Sequence, residues 1–173
     1  AIVLLSRISL KNYVLCLSAI AGALLLQPVI YNNIIFNLQG LPEKIGGFKH
    51  ISENRHGIIT VVESKKNSDI IYGNGAYDGR YNIDPAVNGN DISRAYMLAA
   101  LHPNPKRILE IGLSSGSWAR VFTMYKPLDK MVSIEINPGY IGMIEKYPEI
   151  SPLLQSPKWV DYIDDGRRWL TNH

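Results

Sequence analysis

The stretch Lys106–Arg120, KRILEIGLSSGSWAR, constrains the fold more than any other part of the chain. Ile108–Ile111 reads as a short buried strand carrying an acid, Glu110. Gly112–Ser117 is a loop of small residues apart from Leu113, and from Ser117 onward Trp118, Val121, Phe122 and Tyr125 fall at helical spacing. Strand, small-residue loop and helix in that order make a nucleotide-type pocket. Glycine lets backbone approach a ligand closely, and a helix start offers unpaired N–H groups. Leu113, Ser114 and Ser115 stand where a full dinucleotide fingerprint would have glycines, so the loop by itself names no ligand.

The residues after Arg120 extend the pattern. Lys126–Lys130 reads as a loop, Met131–Ile136 as a second strand, Gly139 to about Tyr147 as a helix, and Trp159–Ile163 as a third strand leading through Asp164-Asp165-Gly166 into a further helix. Asn137 suits a helix cap and Pro138 a first helical position. Before the loop, Ile92–Leu101 has helical spacing with Asn90 or Asp91 available as a cap, and His102-Pro103-Asn104-Pro105 ends it. The succession β-α-β-α-β is half of a doubly wound parallel sheet, whose ligands sit at the carboxyl ends of the strands. Glu110, Glu135 and Asp165 fall at or near those ends. Glu135 is placed to accept hydrogen bonds from ribose hydroxyls, or else is a helix-terminus acid with no ligand, and Asp165 is placed to accept from an adenine amino group; Asp164 could take that role instead, either Asp could merely cap a helix, and Glu110 could hold the loop in shape.

Upstream lies a different regime. No charged side chain occurs from Asn12 to Pro42, and Tyr13–Leu26 is apolar or small throughout, close to the ~20 residues a bilayer requires. Residues 1–42 therefore read first as a membrane segment, with a signal peptide and a buried core helix as the alternatives. Ala1–Leu5 reads as the end of a preceding helix in a longer parent. Arg7 and Lys11 before the span, and Lys44, Lys49 and Arg55 after it, leave orientation undecided; a cytoplasmic face is expected only because a nucleotide-type ligand requires it. Leu41-Pro42 and Gly46-Gly47 then punctuate the chain. Residues 43–89 form a small β region: Phe48–Ser52, Gly57–Glu63 and Asp69–Tyr72 are strands, with turns at Asn54–Gly57, Ser64–Ser68 and Gly73-Asn74-Gly75. This region would cap the main domain, residues 90–173, and Tyr77, Asp78 and Arg80 could wall a substrate cleft. His50 and His56 have no partner spacing that suggests a metal, and no metal is expected. The net charge of +3 is too small and scattered to indicate nucleic acid, and a lone cysteine, Cys16, excludes a disulfide framework within one chain.

His102–Gly112, then Glu135-Ile136, Asp165-Gly166 and the earlier Asp78-Gly79 together resemble the spermidine synthase (polyamine aminopropyltransferase) family, over roughly Gly57–Leu170. The membrane segment suggests its bacterial membrane-attached members. The resemblance implies a Rossmann-like fold of the S-adenosylmethionine-dependent methyltransferase type, one that binds decarboxylated S-adenosylmethionine. The aminopropyl group would pass from the sulfonium to a polyamine such as putrescine, leaving methylthioadenosine. Carried over by motif, Glu135 would hold the ribose and Asp165 the adenine end, while Gly112, Ser114, Ser115 and Gly116 would line the thioether and aminopropyl chain. Tyr77, Asp78, Arg94 and Tyr96 would stand near the amine, and a homodimer fits the reading.

The sequence departs from that family at two places. Its loop reads Gly-Gly-Gly-Asp-Gly-Gly, and Ser115 stands where its Asp meets the cationic aminopropyl group. Arg94 lies close to where an acid of the preceding helix would help hold the amine. The catalytic Asp follows a fourth strand, expected beyond His173, so the chain reads as a fragment with no catalytic residue assigned and no aminopropyl transfer of its own. The alternatives on the same scaffold are a methyltransferase-like enzyme using ordinary S-adenosylmethionine, which Ser115 and Arg94 favour, and a non-catalytic module. An NAD-linked oxidoreductase has the wrong glycine pattern.

Overall fold

A computed structural model describes residues 9–40, 47–64 and 68–173. Ala1–Leu5, Arg7, Leu41-Pro42, Lys44, Gly46 and the middle of the Ser64–Ser68 turn lie outside the described residues. The chain divides into two compact units, Ala1–Leu41 and Pro42–His173.

In the first unit, α1 spans Leu10–Leu38, with Ser9 Oγ accepting from the Asn12 N–H at its start. It continues through Pro28 without ending there. Its 29 residues have a window of mean hydropathy 2.0, and at 1.5 Å per residue they reach about 43 Å. The helix is thus long and apolar enough to cross a membrane. A signal sequence would pass the same test.

The second unit begins with an antiparallel meander, β1 (Phe48–Asn54), β2 (Gly57–Val62), β3 (Ile70–Gly73) and β4 (Ala76–Arg80), paired in chain order. The first three strands lie within a residue or two of where the sequence puts them. Strand β4 was legible only as residues after a turn, because Asp78-Gly79 carries turn chemistry. Gly79 sits at φ +141°, and the register shifts opposite it between Ile71 and Tyr72. Such irregularity belongs to an edge strand, and β4 pairs with β3 alone.

Helix α2 (Ser93–Leu101) follows a 3₁₀ turn at Gly89–Asp91. Neither Asn90 nor Asp91 caps it, since both have left-handed backbone (φ 59° and 50°); Asn88 Oδ1 accepts from the Ser93 N–H instead, at 2.9 Å. Then come β5 (Arg107–Ile111), α3 (Ser117–Thr123), β6 (Lys130–Glu135), α4 (Gly139–Ile144), β7 (Trp159–Ile163) and α5 (Gly166–Asn172). The three strands form a parallel sheet in the order β5-β6-β7, so the fold is mixed α/β with a Rossmann-like half, as expected. Helix α4 is shorter than the sequence suggests. Its last residues tighten into i→i+3 bonds (Lys146 N–H to Met143 O, Tyr147 N–H to Ile144 O), because Tyr147 precedes Pro148 and is steered out of the helical region.

One apolar core joins the meander to the parallel half. Ile59, Val61, Ile71 and Tyr81 pack with Leu113, Met131, Tyr140, Met143, Ile144 and Trp159. The 43–89 region is therefore built into the same compact unit as the parallel sheet. Leu113, the one large residue of the loop, is 4 % exposed within this core and pins the loop from below.

Candidate functional site

The loop between β5 and α3 owes its shape to two glycines with different duties. Gly112 has φ +89°, and a Cβ there would meet nothing within 4 Å; its left-handed backbone needs glycine, and its open face lies beside a cavity. Gly116 has φ +70°, and a Cβ would come within 2.6 Å of Ile144 Cδ1. It is the packing glycine that lets α3 close on α4. The serines between and after them tie the loop to the meander. Ser114 Oγ donates to the Asp78 carbonyl, Ser117 Oγ donates to Arg80 O at 2.8 Å, and the Asn82 N–H donates to Ser117 Oγ at 3.2 Å. Ser115, 2 % exposed, donates through Oγ to Ser117 Oγ at 3.0 Å and accepts from the Ser117 N–H at 3.4 Å. That helix-start N–H is thus already occupied by the loop itself.

Glu135, at the end of β6, is 5 % exposed. Its Oε2 accepts from the N–H of Leu113 at 2.8 Å and of Ser114 at 3.4 Å, while Oε1 accepts from the Asn137 N–H at 2.8 Å. A carboxylate offers about four lone-pair sites, so three backbone donors leave room for one ligand hydroxyl. Glu135 is the fastener of the loop as well as an acceptor beside it.

Two cavities flank this loop and share Ile111, Gly112 and Ser114 as a common wall. The first, about 420 Å³, is also lined by Glu135, Asp78, Tyr140, Asn137 and His56. Asp78 accepts from the Tyr140 hydroxyl. Burial pushes the Asp78 carboxyl above its usual value; the Tyr140 hydrogen bond opposes this and the charge of Glu135 adds to it. Burial, then the bond to Asp78, pushes the Tyr140 phenol up. Asn54 Nδ2 donates to Asn137 Oδ1 at 2.7 Å, which also accepts from the Gly139 N–H. The second cavity, about 430 Å³, is lined along the β5 edge by Glu110, Ser115, Asn90 and Trp118.

The structure thus brings together Gly112, Ser114, Glu135 and Asp78 around one cavity, with Ser115 on the other. The remaining sequence-predicted residues lie elsewhere. Gly116 faces the core. Asp165 caps α5, its Oδ1 accepting from the N–H groups of Arg167 at 2.9 Å and Arg168 at 3.0 Å, while Asp164 pairs with the Arg168 guanidinium. Tyr77 is exposed and donates to Asn90 Oδ1 at 3.3 Å. Arg94 pairs with Asp91 at 3.3 Å in solvent, and Tyr96 donates to Ile83 O at 2.8 Å. Arg80 donates to Ser68 O. Glu110 does not hold the loop; its hydrogen bond is to Ser133. Sequence reasoning missed Tyr140, Asn137 and His56 as cavity walls. Asn137 was read only as a cap and His56 only as a turn residue, and no local signal marks Tyr140. Among the described residues no group of three or more His, Cys, Asp or Glu is gathered to hold a metal ion.

A small-residue loop over a buried acid, at the carboxyl ends of a parallel sheet, defines the class: a mixed α/β protein with a Rossmann-like half. Comparison with known proteins narrows it. No family model matches the chain. A polyamine aminopropyltransferase of Streptococcus pneumoniae serotype 4 is 34% identical over 74 residues, 42% of this chain and 26% of that protein. The spermidine synthase of Schizosaccharomyces pombe is 24% identical over 140 residues, 78% of this chain and 45% of that protein. A solved spermidine synthase, in complex with the transition-state analogue AdoDATO, superposes with a TM-score of 0.57 at 19% identity, covering 72% of this chain and 43% of that one. The chain is a relative of the spermidine synthase, or polyamine aminopropyltransferase, family, with partial coverage. It spans from about a quarter to less than half of the length of these relatives. The similarities give membrane attachment no support.

Proposed function

We propose that the cavity between the loop and the meander binds the adenosyl group of decarboxylated S-adenosylmethionine, and that the whole protein transfers the aminopropyl group to a polyamine such as putrescine. The observation that carries this reading is the open face of Gly112 beside Glu135, whose carboxylate keeps one acceptor site in a cavity of about 420 Å³. Glu135 would accept from a ribose hydroxyl, with Asp78, Tyr140 and Asn137 forming the facing wall. Asp165 would reach the adenine end only from its capping position on α5. In the transfer, the amine nitrogen forms a bond to the carbon next to the sulfonium, the sulfur–carbon bond breaks, and the amine releases a proton to a base. Asp78 accepts from Tyr140 and Glu135 from three backbone donors, and neither is assigned as that base.

A second reading, an S-adenosylmethionine-dependent methyltransferase-like enzyme, rests on Ser115, which puts no acid in the loop. Isothermal titration with decarboxylated and ordinary S-adenosylmethionine separates the two. Tighter binding of the decarboxylated form supports aminopropyl transfer, preference for the ordinary form supports the second reading, and binding of neither defeats both. For α1 we propose a membrane anchor that leaves the second unit in the cytoplasm, where such a substrate would be met. Release of the chain from membranes by carbonate, or loss of α1 on maturation, would contradict it.

A further inference from the structure

The aminopropyl group is a cation, and the loop position that Ser115 fills offers it no charge. Among the described residues lining the second cavity, Glu110 is the charged one. Its surroundings leave it oriented for a ligand. Glu110 stands opposite Ser133 in the parallel register, and Ser133 Oγ donates to Glu110 Oε2 at 2.8 Å while accepting from Trp159 Nε1 at 2.8 Å. A hydroxyl has one proton to give, so the relay from β7 through β6 fixes Oε2 as an acceptor. Oε1 is left for whatever occupies the cavity. The loop wall shared by the two cavities puts this acid on one side of Gly112 and Ser114, and Glu135 on the other.

We infer that Glu110 supplies the negative charge for an ammonium group bound in the cavity lined by Glu110, Ser115, Asn90 and Trp118, in place of an acid in the loop. This inference rests on the adenosyl reading above for the position of the ligand's other end, since a group seated against Glu135 would pass its tail over Gly112 and Ser114. Burial pushes the Glu110 carboxyl up to about 8, with the Ser133 hydrogen bond opposing and the charge of Glu135 adding to the rise. A neighbouring cation reverses that penalty, because an opposite charge favours the ionised form. The site is therefore selective for a ligand that brings its own positive charge.

Titration calorimetry with decarboxylated S-adenosylmethionine and with 5′-methylthioadenosine, which lacks the ammonium, tests this on the full chain and on Glu110→Gln. The glutamine keeps an acceptor for Ser133. The expected result is at least a tenfold loss of affinity for the decarboxylated nucleoside and less than a twofold change for methylthioadenosine. Equal affinities for the decarboxylated nucleoside in folded wild type and Glu110→Gln would overturn the inference. If wild type binds neither nucleoside, the adenosyl reading fails, and carbon-13 titration of the wild-type Glu110 carboxyl with 1,3-diaminopropane decides the remaining question. The same measurement decides it if the variant does not fold. A downward move of the Glu110 midpoint supports the ammonium site, and an unmoved midpoint overturns it.

Discussion

Replacing Glu135 with alanine separates two roles that a ligand-side view would merge. The substitution removes the acceptor of the Leu113 and Asn137 N–H groups, both at 2.8 Å, on residues 4 % and 5 % exposed. The third contact, to Ser114 N–H at 3.4 Å, is long enough to count for little. Hydrogen bonds to a charged group contribute about 1.5–3 kcal/mol each, so losing the two short ones costs about 3–6 kcal/mol. That is a large share of the roughly 5–15 kcal/mol that holds a domain folded, and it lowers the melting temperature by roughly 10–20 °C. Glu135→Gln keeps one acceptor oxygen but turns an amide N–H₂ toward a backbone donor, and should lose about half as much. The assays are thermal unfolding and amide hydrogen exchange. Exchange at Leu113 and Asn137 should accelerate in Glu135→Gln even where the melting change is small. A Glu135→Ala protein that melts within about 2 °C of wild type, with both amides still protected, would refute the claim that this acid fastens the loop.

The same geometry has other consequences. Glu110 has its folded-state carboxyl raised from 4.5 to about 8, so its contribution favours folding at low pH and is lost as pH rises through that window; Glu110→Gln should flatten the fall in stability between those values, as read by denaturant melts at a series of pH values. Gly116→Ala places a methyl within 2.6 Å of Ile144 Cδ1 at a positive φ and should destabilise by about 1–3 kcal/mol, whereas Gly112→Ala, facing open space, should cost only the left-handed strain of about 1–2 kcal/mol yet weaken nucleoside binding. Asp165→Ala removes the cap of α5 and should cost about 1 kcal/mol in urea unfolding; a loss of nucleoside affinity beyond tenfold at unchanged stability would instead assign it to the ligand.

The parallel half was legible because its signals are local. β7 lies where the sequence put it, and β5 and β6 within a residue, since short apolar runs between turn residues have few other ways to fold. Contacts that cross the chain left no such trace. Tyr140 reaches Asp78 from 62 residues away, and Asn54 reaches Asn137 across 83; only the shared core of the two sheets brings these partners together. The acids show the same limit. Sequence position marked both Glu110 and Glu135 as strand-end carboxyls, but which one ties the loop depends on the turn taken at Gly112 and Leu113. There the Leu113 N–H points at Glu135, while the β5–β6 register sets Glu110 against Ser133. Asp165 kept the capping option that its Asp-Asp-Gly setting allowed, and Arg94 pairs in solvent with Asp91, three residues before it.

If the loop beside Glu135 is an adenosyl site, amide chemical-shift mapping with 5′-methylthioadenosine reads it most directly. Saturable shifts are expected at Gly112, Ser114, Glu135 and Asn137, with Tyr140 and Asp78 following. Shifts absent from these residues at saturating nucleoside, or confined to the groove between α2 and α3, would contradict it.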